Sequence, residues 1–443
     1  MGKEYVNGAI EWNNFIPVHW EIKRFRNLFR FGRGISITKA DLQEVGLPCI
    51  TYGEIHSKYG FEFNPQSCIL RCVDFENPAI SKSSMLEKGD FIFADTSEDV
   101  DGSGNFTHLN NNDDVIAGYH TVIARPFDRN ASRFYAYLFD SIPFRTQIRS
   151  KVYGIKVFSI TQAILKDTRI PLPPKDEQQA IVQHLNRHTA EIDSLLSDLQ
   201  SQAEMLDRYK RELIANTITH GLDKNTPVKD SGVDWIGEVP THWDVTKTKW
   251  IFEIVKRIYG KEDRDVLSIT NRGLKVRDIE SNEGQLAESY ANYQVVNVND
   301  FAMNSMDLLT GWVDCSPFEG VTSPDYRVFR FFPKKQQCHS YYKYLFQLCY
   351  KSRIFYRLGQ GVSNLGRWRL QADQFLNMKL PQPPVHEQEE IAAFLDKKTL
   401  QVDGLIADIN EQIEKLKQYR QIVIHDAVTG KIKISEGQPT NRR

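Results

Sequence analysis

The residues of this chain best equipped for chemistry form sets that stop short of a catalytic site. Gly260-Lys261 and Gly430-Lys431 lack both the upstream glycine and the following hydroxyl that a phosphate-binding loop needs. No G-x-S-x-G, H-E-x-x-H or H-x-E with C-x-x-C pattern occurs. The Asn/Asp-Pro-Pro-aromatic segment that amino-methyltransferases place beside a target base is also missing, since Asn77-Pro78-Ala79 lacks the second proline. Asp99-Val100-Asp101-Gly102-Ser103-Gly104-Asn105 imitates the start of a calcium loop, but Asn110 stands where the bidentate Glu belongs, so a solvated turn is expected. Six cysteines (Cys49, Cys68, Cys72, Cys315, Cys338, Cys349) show no zinc spacing and read as free thiols in a reducing compartment.

Residues suited to binding are better represented. Lys151 and Lys156 flank the glycine-containing loop Tyr153-Gly154-Ile155-Lys156, while Asn364, Arg367 and Arg369 lie in its counterpart, Gly359 to Arg369, where cations and backbone N–H groups can meet phosphates. Asn271, Arg272, Lys275 and Arg277 follow a strand-like run, and such side chains can read guanine and adenine edges. Lys58, Tyr59, His108, Asn110, Asn111 and Asn112 are polar loop candidates in the first half. Taken singly, each is more easily a solvated charge or turn former; the set as a whole points to nucleic acid. His19 and His242, each between proline and tryptophan, are expected to be packed and hydrogen-bonded.

Composition leaves room for this reading without announcing it. A chain of 443 residues with 41% hydrophobic residues implies two to four domains with real cores. Lys plus Arg (56) nearly equals Asp plus Glu (57), so a polyanion would be gripped through local patches or with partner help. The first twenty residues lack an apolar leader and no run reaches membrane-spanning length, which predicts a soluble cytoplasmic protein without a membrane contact.

The elements that must position these residues are written twice. Ile170-Pro171-Leu172-Pro173-Pro174-Lys175-Asp176-Glu177-Gln178 returns as Leu380-Pro381-Gln382-Pro383-Pro384-Val385-His386-Glu387-Gln388, and the offset of 210 holds to Thr219 and Thr429. Apolar steps of four and three predict a helix with a narrow stripe: Ile181, Leu185, Ile192, Leu195, Leu199, Leu206, Tyr209 and Leu213. Its copy carries Ile391, Leu395, Val402, Leu405, Ile409, Leu416, Tyr419 and Val423, so the two rods are expected to pair with each other. Gln202 and Gln412, like His188 and Lys398, interrupt the stripe at equivalent positions and read as register-setting. Pro-Pro and an early Glu mark each start, and Gly221 and Gly430 each end.

A second repeat, offset by 223, opens each half: Trp12, Pro17, His19 and Trp20 match Trp235, Pro240, His242 and Trp243. Between these frames both halves read as strand-rich α+β, with strands around Gly89–Ala94, Tyr119–Ala124, Asn299–Met303 and Asp325–Phe329, but the interiors align only in fragments. Helices are expected over Arg133–Lys151 and Ser340–Leu358, and Leu222–Gly232 reads as a polar linker. The domain plan is therefore 1–169, a helix over 170–221, a linker with a second domain over 222–379, and a distal helix with tail over 380–443.

Two W-x4-P-x-H-W openings, two P-x-P-P-x-x-E-Q helices and two dissimilar interiors resemble the specificity subunit of a type I restriction-modification enzyme over nearly the whole chain. Gly89–Asp99, Gly118–Thr121 and Gly320–Tyr326 resemble phrases in that family's target recognition domains. The resemblance implies two tandem recognition domains, each reading half of a split asymmetric double-stranded DNA target. It implies that the long helices form an antiparallel coiled coil with pseudo-two-fold symmetry. It further implies a chain without its own active site or cofactor, which docks two methyltransferase subunits and the restriction subunits; S-adenosylmethionine, ATP and magnesium belong to those partners. A coiled-coil adaptor with two protein-binding modules is the competing expectation.

Overall fold

The computed structural model describes residues 5–6, 16–63, 71–154, 156–270, 273–278, 287–361 and 368–434. Trp12, Cys68, Asn271, Arg272, Asn364 and Arg367 lie outside the described residues. Contacts divide the chain into two units, residues 1–199 with 411–443, and residues 200–410. Both long helices thus contribute a stretch to each unit: the central helix, Lys175–His220, and the distal helix, Val385–Val428.

The same antiparallel sheet occupies each unit. In the first its strand order is Phe29–Arg33, Thr121–Pro126, Phe91–Ala94, Phe106–His108, and in the second Phe252–Val255, Arg327–Phe331, Phe301–Met303, Val313–Cys315. The interiors are therefore more alike than their sequences, because inner strands buried on both faces, such as Phe91–Ala94 and Phe301–Met303, need only a run of apolar residues and no particular ones. Divergence lies outside that sheet. The first unit adds a three-stranded sheet of Ile116–Ala117, Leu47–Ile50 and Cys72–Val73, whereas the second adds hairpins Leu267–Thr270 with Gly273–Val276 and Gln294–Val296 with Gly320–Thr322.

Each expected aromatic helix is broken in two. Ser132–Asp140 is followed by Ile142–Arg149, with Pro143 in the first turn of the second piece, where its missing N–H costs nothing. His339–Lys351 and Ile354–Leu358 are separated at Arg353, which takes a left-handed backbone with φ of 54°. The stretch read as a linker also folds: Val228–Asp230 pairs with Glu238–Pro240, as Tyr5–Val6 pairs with Ile16–Pro17. Its polar composition suits an exposed edge ribbon as well as a linker.

A ribbon and a clamp join each sheet to the rods. Glu21–Arg24 pairs with Arg169–Leu172, and Asp244–Lys247 with Lys379–Gln382, so the chain enters each long helix directly from a strand. On the first helical turn Glu177 accepts hydrogen bonds from His19 Nε2 at 2.6 Å and Trp20 Nε1 at 2.8 Å. Glu387 accepts the same pair from His242 at 2.6 Å and Trp243 at 2.9 Å. A carboxylate can only accept, so both histidines carry their proton on Nε2. Gln178 and Gln388 fold back to donate to the carbonyls of Pro173 and Pro383, which accounts for the last residue of the repeated motif. Both histidines are hydrogen-bonded as expected but stand half exposed, not packed.

The clamp also seats the end of the other rod. Gly430, with φ of 72°, closes the distal helix against Pro17 and Trp20, and Gly221, with φ of 77°, closes the central helix against Trp243. In the first unit Ile181 and Leu185 share a core with Ile424, Ala427 and Val428, while Arg420 bonds Asp193. In the second, Ile214 and Ile218 share a core with Ile391 and Leu395, while Lys210 bonds Asp403. Within each unit, then, the two helix stretches run antiparallel.

One row of the expected stripe is right; the other is right at its start, where Ile181 and Ile391 are buried, and one residue early further along. Leu185, Ile192, Leu199, Leu206 and Leu213, with Leu395, Val402, Ile409, Leu416 and Val423, are buried or half-buried. Leu195 (51%), Tyr209 (49%), Leu405 (52%) and Tyr419 (44%) are exposed, as are Gln202 and Gln412. The second row is Thr189, Leu196, Ala203, Lys210 and Thr217, matched by Thr399, Ile406, Ile413, Arg420 and Ala427. Small, hydroxyl and basic residues dominate that row, so hydropathy favours the neighbours one step before it. Lys210 and Arg420 cover it with their aliphatic stems and place their charges on Asp403 and Asp193.

Among the described residues no helix is long and apolar enough to cross a membrane. The five described cysteines are free.

Gly430→Ala should lower stability by about 1–2 kcal/mol from the left-handed backbone alone, with further loss because the added Cβ lies 2.5 Å from the Pro17 ring. Gly404→Ala, inside the distal helix with open space around it, should instead raise it by roughly 0.5–1 kcal/mol. Urea midpoints of the two variants, moving in opposite directions, check this.

Candidate nucleic-acid interface

The first unit gathers polar and aromatic side chains where three loops meet. Tyr52 opens the short helix Tyr52–Ser57, whose start is fixed by a reciprocal Thr51–Glu54 capping box. Its ring meets those of His56, Tyr119 and His120 edge-on, with centroids at 6.4, 5.7 and 5.3 Å. His120 holds a left-handed backbone, φ 55°, secured where Asp95 N donates to its carbonyl and its Nδ1 meets the Asp95 carboxylate at 3.1 Å. A non-glycine residue in that region costs of order 1–3 kcal/mol and persists where its surroundings impose it.

His56 is fixed just as firmly. Its Nε2 lies 2.8 Å from the Thr96 carbonyl, which can only accept, so neutral Nδ1 is free to accept from Asn105 Nδ2 at 2.9 Å. Arg145 then donates to Asn105 Oδ1 at 2.6 Å. The result is a half-exposed surface with imidazole, carboxylate and phenol groups held in set orientations, the equipment needed to read base edges and stack on bases. Strand Phe158–Ser159 pairs with Thr96–Ser97 at its border, which puts the exposed Lys156 two residues away.

The second unit reaches a comparable surface with different parts. Gln294 Nε2 donates to the carbonyls of Ser323 and Tyr326, holding the Ser323–Tyr326 turn, and Asp314 accepts from Leu274 N to hold the neighbouring hairpin. Lys275 is exposed on that hairpin, and half-buried Arg277 lies near enough to Tyr293 and Tyr326 to act on their hydroxyls electrostatically.

Several residues proposed from sequence occupy other roles. Tyr59 is 2% exposed and packs on Phe63 in the core, so it cannot touch a nucleic acid. His108 is fully buried, stacked on Phe91 with centroids 4.6 Å apart, and both ring nitrogens lack a partner among the described residues. Short alternating runs hid both: Tyr59 follows directly on the short helix Tyr52–Ser57 and turns into the core, and His108 ends the edge strand Phe106–His108 and does not lie in a loop. Asn110 donates to Glu62 and Asn111 to the Phe63 carbonyl, tying that loop to the fold, while Asn112 is exposed. Lys58 is exposed beside Glu54, Lys151 pairs with Asp167, and Arg369 is exposed with its backbone paired to Gln360. Asp99 serves as a turn acceptor for Gly102 N.

Sequence inspection missed Tyr52, His56, Asp95, Asn105 and His120 as a set. The signal for two of them, Asp95 and His120, lay in the turn-rich phrases Gly89–Asp99 and Gly118–Thr121.

Two similarly built α+β units on paired helices define a duplicated two-module scaffold. The chain belongs to the family of the type I restriction modification DNA specificity domain, whose model matches residues 17–205 and 240–415. It is 24% identical over 312 residues to the type I restriction enzyme MjaVIII specificity subunit of Methanocaldococcus jannaschii, covering 67% of this chain and 70% of that one. The putative type I restriction enzyme MjaX specificity subunit of the same organism is 22% identical over 440 residues, 95% of each chain. A solved chain described under complex assembly and conformational transition of the type I R-M system superposes with a TM-score of 0.65 at 15% identity, covering 94% of this chain and 99% of that one, a likeness of fold.

Burial pushes the His108 imidazole down to about 4, helped by the nearby Arg133 cation. The unfolded chain, titrating near 6.5, therefore binds more protons below that pH, and stability present above pH 6.5 is lost as pH falls toward 4. At pH 5 this loss should be about 2 kcal/mol. His108→Phe should flatten the pH dependence of urea unfolding between pH 7 and 5; an unchanged slope would assign it elsewhere.

Proposed function

We propose that this chain is the DNA-reading subunit of a type I restriction-modification complex. Residues 1–169 and 222–379 act as its two recognition domains, and the helices within 170–221 and 380–443 as their mount. One observation carries the reading: the two units share ribbon, clamp and four-stranded sheet and differ in the loops and small sheets outside them. A common mount with two unlike reading surfaces suits a split, asymmetric duplex target.

The division of labour follows from charge and chemistry. A net charge of −1 gives little general attraction for a polyanion, so tight binding calls for a partner that adds cationic surface. Leu195 and Tyr209, with Leu405 and Tyr419 at the same positions of the copy, expose apolar surface on both helices, as repeated protein partners require. Two methyltransferase subunits fit that repetition, and the translocating restriction subunits join through the complex. The chemistry rests with those partners, with S-adenosylmethionine, ATP and magnesium, in the cytoplasm; this chain contributes recognition and no catalytic step.

Two measurements test this. Fluorescence anisotropy should give weak, salt-sensitive duplex binding by the chain alone and at least tenfold tighter binding with its methyltransferase; equal affinity would contradict it. Exchanging residues 21–169 for the matching domain of another family member should change one half of the methylated sequence, as methylome sequencing reads it, and leave the other half intact. Changes in both halves would contradict one reader per unit.

A further inference from the structure

Like charges stand directly opposite one another in both ribbons. Arg24 faces Arg169 in the first unit, and Lys247 faces Lys379 at the equivalent place in the second. Directly opposed like charges weaken an antiparallel pair, so a fold that places them there twice gains something else. Arg26 and Lys249 extend the two patches from the turns Phe25–Asn27 and Thr248–Trp250.

In the first unit three cations converge on one carboxylate. Asp167 Oδ1 meets Arg24 at 2.7 Å and Arg26 at 3.5 Å, and its Oδ2 meets Lys151 at 2.9 Å. The patch remains cationic after that neutralisation. At the position of Asp167 the second unit has Asn377, and among the described residues Lys247, Lys249 and Lys379 form no ion pair with a carboxylate. Lys249 instead lies 5.3 Å over the ring of Trp250, which is itself 60% exposed.

We propose that these two patches, Arg24, Arg26, Lys151 and Arg169 in one unit and Lys247, Lys249 and Lys379 in the other, are sequence-independent anchors for the sugar-phosphate backbone of duplex DNA. The proposal rests on the functional reading above. Three features favour this ligand. Apart from Lys151, the patches belong to the ribbon and turn that both units share, not to the loops that differ, so their ligand is common to both half-sites; the backbone is common and the bases are not. Arginine in one unit is replaced by lysine in the other, so charge is kept while the planar two-pronged geometry that a shaped carboxylate partner rewards is not. Exposed lysines are also depleted from the centres of protein interfaces but are the usual means of neutralising phosphates.

The test uses the chain assembled with its methyltransferase partner. Variants Lys247→Gln/Lys249→Gln/Lys379→Gln and Arg24→Gln/Arg26→Gln/Arg169→Gln are compared with wild type by anisotropy across a salt series, on duplexes with and without the recognised sequence. Each triple variant should weaken binding to both duplexes by the same factor. It should reduce the slope of log affinity against log salt by about 0.9 for each lost contact, up to ~3, and leave the methylated sequence unchanged. Arginine at all three lysine positions should restore the slope. Unequal weakening on the two duplexes would overturn the proposal in favour of base reading. Loss of the methyltransferase from the complex would overturn it in favour of an acidic protein surface. Wild-type binding with unaltered variants overturns the anchors alone, whereas a wild-type complex that binds neither duplex overturns the functional reading with them.

Discussion

Two carboxylates, Glu177 and Glu387, determine how this molecule is put together. Each sits in the first turn of a long helix, where the helix dipole favours negative charge, and each accepts hydrogen bonds from a histidine and a tryptophan more than 140 residues away in sequence. Charge-assisted hydrogen bonds of this kind contribute about 1.5–3 kcal/mol when sheltered and less at partly exposed positions. Their geometric effect is larger than their energy. A tryptophan pinned by its indole N–H has a fixed ring position, and the glycine that ends the other helix lies against that ring. The start of one rod and the end of the other are held at a single point in each unit, which is the condition for antiparallel stretches.

This arrangement separates what must be constant from what can change. Ribbon, clamp and four-stranded sheet are held by backbone pairing and by a few side chains that recur in both units. The surfaces beyond them are carried on short helices, hairpins and turns with their own local ties, such as Asp95 to His120 or Gln294 to Ser323. Loops of that kind can be exchanged without disturbing the clamp. The proposed reading of a split target calls for this property, since one surface can then change while the shared mount stays the same.

Much of this was legible in the sequence because repetition marks positions under a shared constraint. Pro-x-His-Trp and Pro-Pro-x-x-Glu-Gln were visible as paired frames, but that one frame hydrogen-bonds the other was not, because nothing in a linear pattern specifies contacts between distant segments. The long helices were readable from their period. The identity of the second row was not, since buried Thr189 and half-buried Ala203, Lys210 and Arg420 are covered by position and not by hydropathy. Candidate binding residues were the least legible: polar type suggested His108 and Tyr59, both of which lie in cores. The basic ribbon pairs could have been found by overlaying the two frames, where Arg24 falls on Lys247, Arg26 on Lys249 and Arg169 on Lys379.

Hydrogen–deuterium exchange on Glu177→Gln tests the clamp most directly, because the substitution lies at the start of the central helix while the decisive readout lies at the end of the distal one. Amides of residues 424–430 should lose protection together with the segment around Trp20, while the segment around Trp243 and Gly221 keeps its wild-type rates. Unchanged protection over 424–430 would contradict the claim that this carboxylate, through Trp20, seats the far end of the other rod.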